Sequence, residues 1–274
     1  MKRVFTSSLL FLLLASAHAR VFVVVEENRD YGRIIGNSSM PYLNSLANTA
    51  GGLATNYYAV THPSIGNYFS LTTGRIITND SSFSNTVYAD NIVRSLIAAG
   101  KTWREYSESL PYVGYYGGDT TVNGPYSQRH NPCSYFSDVR DDVVQRDNLV
   151  PFTQLAADIS AHTLPDFGLI VPNNINNGHD GTLATADAWL KRNIAPLLAA
   201  FDCGDLLIIV WDEAKSDSTN GGGKVAWIVV GPTALKGYQS SILYNHPNTL
   251  RFIGDQLGIT VPTSAGSLLG FTAQ

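Results

Sequence analysis

Apolar residues fall into short dense runs, separated by stretches in which they recur every three or four positions. The runs at 21–25 (VFVVV), 53–58, 102–106, 167–171 (FGLIV), 206–211 (LLIIVW) and 225–230 (VAWIVV) predict strands. Several have no polar position on either face, the pattern of parallel strands covered by helices on both sides. The stretches 41–49, 64–73, 91–99, 149–160, 182–200 and 248–257 predict helices, several opening on Pro, Ser, Thr or Asn. Their alternation predicts an α/β fold: a three-layer sandwich around a mostly parallel central sheet. Residues 107–148 lack sustained periodicity and read as a long excursion from the sheet, and long loops of this kind are often functional. Residues 216–223 (SDSTNGGG) read as a second, flexible loop.

Composition adds bounds to this pattern. With 274 residues, 44% hydrophobic and 15% charged, the chain carries enough apolar surface for one large core, and disorder is excluded as a description of the whole. The net charge of −4 and the absence of a Lys/Arg cluster argue against nucleic acid as a partner. Lys2 and Arg3, the apolar run 9–14 and the small-x-small pattern Ala17-His18-Ala19 predict a signal peptide over 1–19, one domain over 20–274, and a secreted or periplasmic protein. No later stretch is apolar for long enough to predict a transmembrane span. Export makes a disulfide between Cys133 and Cys203, the only two cysteines, the expected pairing. Oligomeric state has no signature in the pattern.

In open α/β sheets ligands gather beyond the carboxyl ends of the strands. Glu26, Glu27 and Asn28 stand at the end of the first strand run, and Asp212 and Glu213 follow the 206–211 run. Carboxylates brought together repel unless a proton or cation lies among them, so a hard divalent cation is one reading; helix caps or solvated side chains are the other. Ser64, within THPSIGNY, stands at a predicted helix start, where free N–H groups favour an anion such as phosphate, although Ser is also an ordinary cap. Asn67, one turn on, offers an amide to the same anion. His130 and His179 are suited to donating to a phosphoryl or leaving oxygen, against the alternative of surface or core histidines. His246 reads equally as structural, His162 as a surface residue, and His62 is ambiguous beside Ser64. No GxSxG, Walker or GxGxxG motif occurs, which disfavours serine esterase, NTPase and dinucleotide readings.

These segments together resemble the phosphoesterase family of secreted acid phosphatases and phosphatidylcholine-type phospholipases C, within the alkaline-phosphatase-like superfamily. The matching pieces are Glu27-Asn28-Arg29, THPSIGNYFSLTTG at 61–74, RHNP at 129–132, VPNN…GHD at 171–180 and VWDE at 210–213, with a looser echo in YNHPNTLRFIGDQLGI at 244–259. The resemblance implies that Glu27, Asn28, Asp212 and Glu213 hold one divalent metal (Ca, Mg or Mn) together with a nucleophilic Ser64. It places Asn67, His130 and His179 around the phosphoryl group. Gly66 departs from the Pro usual at that place and is expected to loosen the turn; Asp30 is not carried over. The implied activity is an acid phosphatase acting through a phosphoserine on a small phosphomonoester or a phospholipid headgroup, phosphoinositides included. Alternatives are a phospholipase C type phosphodiesterase, whose relatives tend to carry C-terminal domains for which this chain leaves no room, and a non-catalytic phosphate-binding protein.

Overall fold

The computed structural model describes residues 19–122 and 124–273, so the expected signal peptide lies, apart from Ala19, outside the described residues. Ten strands occur among these: β1 (Val21–Glu26), β2 (Gly51–Ala54), β3 (Tyr57–Tyr58), β4 (Trp103–Ser107), β5 (Leu149–Pro151), β6 (Phe167–Val171), β7 (Leu206–Trp211), β8 (Trp227–Val230), β9 (Gln239–Ser240) and β10 (Tyr244–Asn245). Eight form one sheet in the order β5-β4-β6-β1-β7-β8-β2-β9, and β3 pairs with β10 apart from it. Only β8 runs against its neighbours; every other pairing is parallel. Every residue of β1, β6 and β7 is buried, as their two-sided apolarity requires, and each large aliphatic side chain so covered contributes about 1.5–3 kcal/mol.

The main helices, Ser64–Thr73, Ile92–Ala98, Gln154–Ala161, Leu183–Ala199 and His246–Leu257, lie close to the expected stretches. The Ser64–Thr73 helix is buried over its whole length. Its polar positions tolerate this because Ser70, Thr72 and Thr73 donate their hydroxyls to the carbonyls of Gly66, Tyr68 and Phe69 at 2.8–2.9 Å. Other expectations need correcting. The 41–49 stretch is a helix only over Pro41–Ser45 and then widens into a π-type turn, Leu46–Ala50. The 53–58 run breaks at Thr55 and Asn56 into β2 and β3, which belong to different sheets. The start of the 149–160 stretch is not helical: Leu149–Pro151 adds an edge strand to β4, a place where proline costs no ladder partner.

The 107–148 excursion is built from tight turns and short helices, Gln128–His130, Pro132–Tyr135, Ser137–Arg140 and Val143–Arg146. The 216–223 segment is pinned rather than loose. Asp30 Oδ1 accepts from the backbone of Ser216 and Asp217 at 3.0 and 3.2 Å, and the Asp217 carboxylate accepts from the backbone of Thr219 and Lys224 at 2.9 and 2.7 Å. The expected Cys133–Cys203 disulfide is absent, both thiols being free. Cys133 is buried against β4, its N–H donating to Glu105 at 3.0 Å, whereas Cys203 is exposed in the turn that enters β7 at its amino end. Among the described residues no helix is long and apolar enough to cross a membrane.

Candidate active site

β1 and β7 run side by side in register to their last residues, Glu26 opposite Trp211. The next residues, Glu27 and Asp212, therefore leave the sheet together. The Asp212 N–H donates to the Glu26 carbonyl at 2.9 Å, and the Arg29 N–H donates to the Glu213 carbonyl at 3.2 Å, which extends the parallel pairing past the strand ends. Asn28 takes a left-handed φ of 50°, available to Asn at low cost. Its N–H donates to Asp212 Oδ1 at 3.1 Å and its Nδ2 to Glu27 Oε2 at 2.8 Å. For Asn28 to offer its side-chain oxygen to a cation, that amide must turn over.

Ser64 is the first residue of its helix, and its hydroxyl does not cap that helix. It donates to Glu213 Oε1 at 3.0 Å and approaches Glu27 Oε2 at 3.4 Å. One hydroxyl thus ties the ends of β1 and β7 to the start of a buried helix. Gly66 keeps this arrangement tight. A Cβ there would come within 2.3 Å of Asn79 Oδ1 and 2.5 Å of Thr61 Cγ2, so the expected loosening is replaced by close packing.

His130 Nε2 lies 2.8 Å from Glu27 Oε1, a close approach without the alignment of a hydrogen bond, and its ring stacks on Tyr68 with centroids 5.2 Å apart. His179 is one third exposed at the rim, its ring centroid 6.5 Å from that of His130 and its Nδ1 2.7 Å from Asp180 Oδ1. The structure thus brings Glu27, Asn28, Ser64, Asp212, Glu213, His130 and His179 to one strand-end cluster. Asn67 does not join them in the expected way. Its Oδ1 accepts from the backbone of Val60 and Thr61 at 3.0 and 3.2 Å, and its Nδ2 donates to the Thr61 carbonyl at 2.7 Å. This fully buried amide shapes the turn leading into Ser64, with one Nδ2 hydrogen left over.

Four further residues support the cluster. His62 Nδ1 sits 2.6 Å from Glu213 Oε2 while Nε2 faces the Asp217 carbonyl at 3.1 Å, which bridges the carboxylate to the pinned loop. His246 is fully buried, with Nε2 donating to the Asp212 carbonyl at 2.7 Å and Nδ1 accepting from Tyr57 at 2.8 Å; burial lowers its pKa to about 4, so it is a neutral spacer. Glu105, buried in β4, holds the turn after His130 through Cys133, and Ser107 of the same strand holds Asn131. Burial pushes the Glu105 carboxyl up to about 7 against the pull of its Cys133 and Ser107 hydrogen bonds. Only a weak signal marked these residues: adjacency to Ser64 for His62, and for Glu105 a charge inside a strand.

The three central carboxylates share too little compensation to be ionised together. Burial, then Glu27 and Glu213, raise Asp212 well above the usual carboxylate range. Burial and Glu27 raise Glu213 against the opposing influence of His62. For Glu27 burial is also the largest influence, but His130, Asp212 and Asn28 outweigh it together and hold this carboxyl below its usual range. Glu27 Oε1 and Asp212 Oδ2 are buried without a hydrogen-bond partner. Among the described residues no three His, Cys, Asp or Glu side chains are drawn into a metal cage. The all-oxygen donor set, with Asp212 Oδ2 left without a partner, nevertheless fits a hard cation.

With this geometry in view, the sequence matches the Phosphoesterase family over residues 37–260. The chain belongs to the phosphoesterase family. It is similar to a phosphatidylinositol-3-phosphatase of Mycobacterium tuberculosis, 36% identical over 207 residues that cover 74% of this chain and 66% of that protein. It is also similar to a probable acid phosphatase of Kluyveromyces lactis, 32% identical over 252 residues, covering 86% and 57%. The chain spans between half and two thirds of the length of such curated relatives. Its fold is that of the alkaline-phosphatase-like superfamily. A superfamily member from Vibrio parahaemolyticus matches with a TM-score of 0.58 at 11% identity, over 88% of this chain and 66% of that one. The lipoteichoic acid synthase LtaP of Listeria monocytogenes matches at 0.61 and 10%, over 90% and 74%.

Proposed function

We propose that this phosphoesterase is an exported, metal-dependent acid phosphatase that hydrolyses phosphomonoesters, lipid headgroups included, through a phosphoserine. The observation that carries the reading is the Ser64 hydroxyl, buried at a helix start and donating to Glu213 instead of capping its helix. The names of the curated relatives, acid phosphatases and a phosphatidylinositol-3-phosphatase, support the reaction class. Glu27, Asn28, Ser64, Asp212 and Glu213 would hold the cation, Ca, Mg or Mn. When bound it would neutralise charge on the serine and phosphoryl oxygens.

The remaining work falls to the chain's own groups. Ser64 Oγ passes its proton to Glu213 Oε1 and attacks phosphorus in line with the leaving oxygen; the Oγ–P bond forms as the ester P–O bond breaks. His130 or His179 donates a proton to the departing alkoxide. Water then attacks phosphorus from the vacated side, losing its proton to the same imidazole; the new O–P bond forms as the Oγ–P bond breaks, Glu213 returns its proton to Ser64 Oγ, and phosphate is released. Asn67 contributes by shaping the turn before Ser64.

Ser64→Ala tests the proposal with p-nitrophenyl phosphate as substrate. Turnover should fall by roughly 10³-fold or more with the melting temperature retained, and a variant keeping a tenth of the activity removes Ser64 from the reaction. Faster cleavage of bis-p-nitrophenyl phosphate than of the monoester by the wild-type protein would favour the phosphodiesterase alternative.

A further inference from the structure

Beside the strand ends lies a cavity of about 440 Å³ lined by Arg29, Asp30, Arg33, Leu183, Lys215 and Ser216. It gathers three cations in a chain whose net charge is −4. The Arg29 guanidinium donates to two neutral carbonyls, Asn28 at 2.9 Å and Gly181 at 3.3 Å, so its charge is not compensated there. Arg33 and Lys215 are exposed, and neither is ion-paired among the described residues. Asp30, the one acid in the lining, is engaged by the backbone of Ser216 and Asp217. Like charges facing one concave space produce a local potential that an anion relieves.

The cavity adjoins the catalytic cluster. Arg29 follows Asn28 and its N–H reaches the Glu213 carbonyl, Lys215 stands two residues past Glu213, and Gly181 stands two past His179. We infer that this cavity binds a second anionic group of the substrate, so that the preferred substrates are phosphomonoesters carrying a further phosphate. The shared chemistry covers a soluble bisphosphate and a phosphorylated inositol lipid, whose diester phosphate is the second anion. The inference rests on the phosphatase reading for which group is cleaved, and on Arg29, Arg33 and Lys215 for which group is held.

The test reads binding in Ser64→Ala protein supplied with a divalent cation, so that turnover is not required. One arm compares fructose 1,6-bisphosphate with fructose 6-phosphate by calorimetry at low ionic strength. The other compares phosphatidylcholine vesicles containing phosphatidylinositol 3-phosphate with vesicles containing phosphatidic acid, which lacks the second anion. In at least one arm the doubly anionic ligand should bind about tenfold more tightly. Arg33→Ala with Lys215→Ala should remove that margin, while Arg33→Lys retains most of it. A margin confined to the sugar arm identifies a soluble substrate and one in the vesicle arm a lipid. No margin in either arm, or a margin that survives the double substitution, overturns the inference. Wild-type protein that hydrolyses neither p-nitrophenyl phosphate nor the bisphosphate overturns the phosphatase reading separately.

Discussion

Glu105→Gln isolates one buried carboxyl that holds the His130 turn in place. Burial raises this group from 4.5 to about 7 in the folded chain. The native state therefore keeps a proton that the unfolded chain releases between these values. The stabilisation is complete below pH 4.5 and is lost as pH rises through about 7. At about 1.4 kcal/mol for each pH unit between the two values, the native state gives up about 3 kcal/mol over that window. A glutamine retains an acceptor for the Cys133 N–H and does not titrate. Any constant cost of its extra amide group cancels when two pH values are compared. Urea unfolding of both proteins at pH 4.5 and pH 8 reads the difference directly: the variant should gain about 3 kcal/mol on the wild type across this range. For a chain of this size that is about 5 °C in melting temperature. Parallel stability curves for the two proteins would mean that Glu105 is not desolvated in the way its surroundings in β4 require.

Gly66→Ala places a methyl against Asn79 and Thr61 and should cost about 1–3 kcal/mol, with a fall in kcat as Ser64 shifts; an unchanged melting temperature would contradict the close packing. Asp212→Asn should abolish phosphatase activity. In chelator it should hold its stability as pH rises, where the wild type weakens, because burial and two neighbouring carboxylates raise the Asp212 pKa in the folded chain. Melting curves that fall equally with pH would refute this.

The central strands were legible because an unbroken run such as VFVVV or LLIIVW finds water-free surroundings on both faces only inside a covered sheet. The carboxylates behind those runs stood out for the same reason: Glu27 and Asp212 follow apolar strands directly, at the carboxyl ends where ligands gather. The family motifs carried Ser64, His130 and His179 along with them. What the pattern did not contain was pairing between distant segments. The register that sets Glu26 opposite Trp211, the reversal of β8 and the edge strand at 149–151 depend on partners far along the chain. Asn67 read as a phosphate contact alone because local spacing cannot show that its Oδ1 also accepts from the backbone of Val60 and Thr61 and so shapes the turn before Ser64. The two cysteines read as a pair because only the folded chain gives one to β4 and the other to the turn before β7. Local sequence records whether a side chain is suited to burial, whereas which neighbour satisfies it is decided by packing across the whole fold.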